Sequence, residues 1–71
     1  KRVESHHRGK LRFYNKPSWE DKDVMGHLEY GYGFPTIIDK VKVGNGYQYK
    51  VKNSKGDVYY VTAHEKYVHV E

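Results

Sequence analysis

The stretch "YQYKVKNSKGDVYYV", residues 47–61, limits the fold more than any other, because its residue types alternate on both sides of a Gly-bearing turn. Tyr47, Tyr49 and Val51 fall on one side of the first run, with Gln48, Lys50 and Lys52 on the other. In the second run Tyr59 and Val61 oppose Val58 and Tyr60. A period of two belongs to a strand with one buried face. "NSKG" supplies turn residues, with Gly56 free to take positive φ. The segment reads as a β-hairpin that sends Tyr49, Tyr59 and Val61 into a core and leaves Tyr60 outside.

Shorter strand signals fill the rest of the chain. "KLRFYNKP" alternates, with Leu11 and Phe13 on one side and Arg12 and Tyr14 on the other. Pro17 ends that run because it cannot donate to a ladder. "SWEDKD" is a polar loop tipped by the one tryptophan, and "VMGHL" and "TIIDKVKV" are further strands. "EYGYGFP" is a diverging turn, "GNG" at 44–46 a tight one, and "YVHV" a closing strand. "TAHEK" is compatible with one helical turn capped by the Thr62 hydroxyl. Residues 1–9 lack periodicity and read as a flexible lead-in or, through Arg2-Val3-Glu4, a short edge strand. The expectation is all-β: a small barrel of five to six short strands over residues 10–71, with at most one helical turn, near Ala63 to Lys66.

Size narrows the means of holding such a barrel together. Seventy-one residues make one domain at most, and a domain this small buries little surface per residue. Only 37% of the residues are hydrophobic and mean hydropathy is −1.01. Eight tyrosines suit an economical core, since the ring is buried while the hydroxyl reaches water. There is no cysteine, so no disulfide staples the fold. No apolar run approaches the roughly 20 residues that span a membrane. The chain starts at Lys1 without a signal peptide and reads as a module of a longer protein.

The net charge of +4 is uneven. Lys1, Arg2, Arg8, Lys10 and Arg12 face only Glu4 in the first twelve residues, and five lysines lie between Lys40 and Lys55. Glu20, Asp21, Asp23, Glu29 and Asp39 make the section between them acidic. The basic ends suit a solvated surface or attraction to a polyanion, such as nucleic acid or an anionic wall polymer. Catalysis has little support. Ser5, Ser18 and Ser54 stand in turn-like contexts, and the five histidines give no helical i, i+4 pair. Neither a metal site nor a cofactor is expected.

The order of these segments is recognisable. "LRFYNKPS", "VMGHL", "NGYQYKV", "SKGDVYYV" and "KYV" together resemble the bacterial SH3 family, often called SH3b. Its first strand runs roughly L-N-V-R-S-G-P-S, followed by V-I-G-x-L, N-G-W-Y-K-V, G-x-x-G-Y-V and K-Y-L. The resemblance covers about residues 10–70. Tyr14 stands where the family usually has arginine, Lys16 where it has glycine, and one extra residue separates Tyr47 from Tyr49-Lys50-Val51. The second half also looks like repeats in lactobacillal surface proteins and wall hydrolases.

The resemblance implies an SH3-like barrel and a non-catalytic cell-wall module of a Gram-positive bacterium. Such a module is monomeric and extracellular, and anchors a secreted or surface protein whose parent is often a peptidoglycan hydrolase. Its implied partners are the peptidoglycan stem peptide or cross-bridge and the polyphosphate teichoic acids, with no nucleic acid. In the family the ligand groove lies beside the loop after the first strand. With the alternation, that points to Tyr14, Trp19, Asp21, Asp23, Tyr32 and Tyr60 as ligand-binding residues. Two other readings remain: a basic barrel that binds single-stranded nucleic acid by stacking and phosphate contacts, and a structural spacer of a surface protein.

Overall fold

The computed structural model describes residues 1–71 and contains eight strands: β1 (Val3–Ser5), β2 (Leu11–Tyr14), β3 (Val24–Leu28), β4 (Gly33–Phe34), β5 (Thr36–Val43), β6 (Gly46–Lys52), β7 (Val58–Thr62) and β8 (Val68–Val70). The alternating hairpin forms as β6 and β7, in regular antiparallel register from Gln48–Thr62 to Lys52–Val58. Asn53 closes its turn, with Oδ1 accepting from the backbone N–H of both Lys55 and Asp57 at 2.9 Å. β5 pairs with β6 across the 44–46 turn, and the five-stranded antiparallel sheet runs β3-β2-β7-β6-β5.

The second sheet has three strands in the order β4-β1-β8. Residues 3–5 are therefore its middle strand, and neither a lead-in nor an edge. Val3 pairs with Phe34 on one side and Val70 on the other and is fully buried. β1 and the two-residue β4 also raise the strand number above the five to six expected. Gly33 allows this sheet to close, because a Cβ there would overlap the Val3 carbonyl oxygen and lie 2.8 Å from Glu4 Cα.

One core fills the space between the sheets. Val51 and Val61 come from the larger sheet, Val3, Phe34 and Val68 from the smaller, and Leu28 from β3. Tyr49 and Tyr59 pack against it half-buried, as their positions in the hairpin imply. Phe13 meets Phe34 and Tyr59 edge-on, with centroids 5.2 and 4.9 Å apart, a geometry that suits the ring quadrupoles. The protein is all-β, as its alternation predicts.

The helical element differs in place. The single 3₁₀ turn is Asp21–Asp23. Residues 64–67 form an isolated turn instead, closed by Tyr67 N–H on the His64 carbonyl at 2.9 Å, with Thr62 Oγ1 accepting from His64 N–H at 3.1 Å. No helix is long and apolar enough to cross a membrane.

Candidate functional site

The loop between β2 and β3 is fastened to the larger sheet by a small set of hydrogen bonds. Ser18 Oγ accepts from Glu20 N–H at 2.9 Å and shapes the turn. The Ser18 carbonyl accepts from Gln48 Nε2 at 2.7 Å. Gln48 is fully buried, on the face of β6 opposite Val51, and its Oε1 has no partner. Its alternation with tyrosines marks it as outward-facing, and it is so relative to the core. The loop then folds over that face and covers it.

Trp19 lies on this platform. Its Nε1–H donates to the Val43 carbonyl at 2.7 Å, and the ring meets Tyr14 edge-on at 6.0 Å. Gly46 leaves the space beneath, since a Cβ there would lie 3.3 Å from Trp19 Cζ2. The indole is thus fixed at one edge and still 40% exposed.

It separates two cavities. On one side is a cleft of ≈ 360 Å³ walled by Trp19, Tyr47 and Tyr67, with Lys40 and His64 at its margins. Lys40 Nζ sits 5.2 Å from the Tyr47 ring centroid, and His64 packs edge-on to Tyr67 at 5.7 Å. On the other side is a cavity of ≈ 370 Å³ lined by Lys16, Ser18, Glu20, Lys22 and Asp23. There the buried Asp23 carboxylate has Lys16 Nζ 3.8 Å away, and Lys22 and Glu20 pair at 3.9 Å. A ligand straddling Trp19 would meet aromatic faces on one side and paired charges on the other.

The structure gathers only part of the expected residue set here. Trp19 lies between the cavities and Asp23 lines the polar one. Tyr14 is 6% exposed, so its ring braces Trp19 from below and offers no open face. Asp21 is exposed but ion-paired with Arg12. Tyr60 is half-buried beside Tyr14 in the β2–β7 ladder and lines neither cavity. Tyr32 is exposed elsewhere, at a separate cavity of ≈ 280 Å³ with His27 and Glu29. Tyr47, Tyr67, Lys40 and His64 join the site unannounced. The available signal is that Tyr47 abuts the "GNG" turn, where β6 has run past the end of the core.

The site and the fold define a small β module with an open, aromatic-walled groove. Among curated proteins the chain is 70% identical over 60 residues to the N-acetylmuramoyl-L-alanine amidase BlyA of Bacillus subtilis (strain 168). That match covers 84% of this chain and 16% of the amidase, so the chain spans about a sixth of the relative's length. No family model matches the sequence. No solved structure matches it either.

Proposed function

We propose that this chain is a non-catalytic module of the SH3b type that holds a peptidoglycan amidase on the Gram-positive cell wall. The observation that carries the reading is the 70% identity to one sixth of an enzyme named for the N-acetylmuramoyl-L-alanine amide, the link between glycan and stem peptide in peptidoglycan. The groove supports it. Wall glycans and peptides are flexible and polar, and rigid aromatic rings contact their apolar faces at low entropic cost. On the far side of Trp19, Asp23 suits a free amine of a stem peptide or cross-bridge, and Lys16 and Lys22 suit its carboxylates. The basic residues add attraction to teichoic acids at long range. The module acts as a monomer outside the cell.

The test is co-sedimentation with purified Gram-positive walls, beside a DNA-binding control. Tyr47 is 48% exposed and its side chain makes no hydrogen bond, so Tyr47→Ala removes a cleft wall with little cost to the fold. Loss of a stacking ring at a desolvated contact typically costs about 2 kcal/mol, roughly thirtyfold in affinity. Wall binding should fall by about that factor while thermal unfolding stays put. Equal retention on walls and DNA, with a steep fall in salt, would overturn the reading in favour of a nonspecific polycation.

A further inference from the structure

The outer face of the β4-β1-β8 sheet carries a second set of groups that wall recognition does not use. Glu4 and His69 are cross-strand partners, and the pairing continues through reciprocal backbone hydrogen bonds between Arg2 and Glu71. The period of two then puts Glu4, His6, His69 and Glu71 on one face. His69 Nε2 is 3.1 Å from Glu71 Oε2 and 3.6 Å from Glu4 Oε1. One ligand atom from each of the three residues lies within 4.8 Å of the others.

The hydrogen bonds assign the tautomers. His6 Nε2 lies 2.8 Å from the Glu65 carbonyl, which can only accept, so His6 Nε2 carries a proton. Neutral His6 then presents a lone pair at Nδ1, which lies 2.9 Å from His69 Nδ1. His69 Nδ1 must donate to it, and the lone pair of neutral His69 falls on Nε2, facing both carboxylates. With His69 neutral, three electron-rich atoms thus converge, so the point is held either by a proton on Nε2, which makes the bond to Glu71, or by a metal ion. Arg2, on the same face, forms no ion pair with either acid. Such a point requires a cation.

We infer that Glu4, His69 and Glu71 form a binding site for a divalent transition metal of the zinc type, with His6 as the positioning residue that fixes the His69 tautomer. Tetrahedral zinc with ligands at about 2.0–2.1 Å holds its donors roughly 3.3 Å apart, between the two separations seen here. One imidazole and two carboxylates leave the fourth position to water, and the imidazole disfavours calcium and magnesium, which select oxygen. A histidine whose second nitrogen is held by a fixed acceptor is the usual support of a metal ligand. Sequence spacing conceals this set, because its donors meet across strands from the two ends of the chain.

Titrating the 71-residue chain with zinc chloride in a calorimeter, and with cobalt(II) in a visible spectrometer, tests the site. One equivalent should bind, cobalt should give ligand-field bands, and the Nε2 signal of His69 should shift while Nδ1 stays protonated. His6→Gln should weaken binding by about 10–100-fold, Glu4→Gln and Glu71→Gln by more, and His69→Gln should abolish it. His7→Gln, outside the set, should leave it unchanged. Undiminished binding in His69→Gln, or equal loss in His7→Gln, would overturn the assignment. So would the absence of saturable binding at neutral pH, since a proton on His69 Nε2 would then be the resident cation.

Discussion

The Trp19 platform and the β1–β8 outer face satisfy their polar groups in opposite ways. On the platform, side chains bond to backbone: indole N–H to the Val43 carbonyl and the buried Gln48 amide to the Ser18 carbonyl. On the outer face, half-exposed side chains bond mainly to one another, His6 to His69 and His69 to Glu71. A hydrogen bond from a buried group to backbone ties local chemistry to the fold, because removing either partner leaves the other unsatisfied away from water. Pairs between exposed side chains exchange with water at little cost. The first region should therefore lose stability and binding together. The second is free to change chemistry without changing the fold.

The largest effect should come from Gly33→Ala, which drives a methyl group into the Val3 carbonyl. Overpacking against backbone should cost about 3 kcal/mol, read by urea unfolding. Because both sheets share one core, signals from the two regions should vanish in one transition. Loss of the β1–β8 face alone, with Trp19 still in its native setting, would make the regions separate folding units and break the comparison. Gln48→Ala comes next. It strands the Ser18 carbonyl and opens a void under the loop, for about 2–3 kcal/mol, and wall binding should fall with stability. An unchanged midpoint would show that the platform does not depend on its buried amide. Trp19→Phe keeps a ring but removes the bond to Val43, for about 1 kcal/mol. The smallest effect belongs to His69→Gln on the other face, within about 0.5 kcal/mol in metal-free buffer. A loss comparable to that of Gln48→Ala would mean that the outer face is structural after all.

What the sequence discloses follows the same division. β6 and β7 are legible because seven and five residues of alternation lie on either side of a turn with its own chemistry. β1 is legible only as an optional edge strand and not as the middle of a sheet, since three residues cannot establish a period and its partners β4 and β8 lie far along the chain. Gln48 misleads because a polar residue at an outward position predicts solvent, whereas the loop that buries it is a tertiary event. Trp19 stands out as an aromatic residue in a polar loop without apparent need of burial. Tyr67 and His64 do not, for only the fold carries the 64–67 turn to the same cleft. Tyr32 and Tyr14 look equivalent to Trp19 as outward aromatics, and only packing distinguishes an exposed ring from a brace.

Trp19 is the chain's one tryptophan, set between two cavities of opposite character. It is therefore a built-in optical reporter. Its emission maximum records how much water reaches the indole, and the eight tyrosines of this small domain can pass excitation to it. A ring stacked in the aromatic cleft would strip water from one face and shift the emission to the blue. An ammonium held at Asp23 would instead change the charge beside the other face and alter intensity more than wavelength. The unmodified protein can thus indicate which side of the wall a ligand occupies, with no label attached.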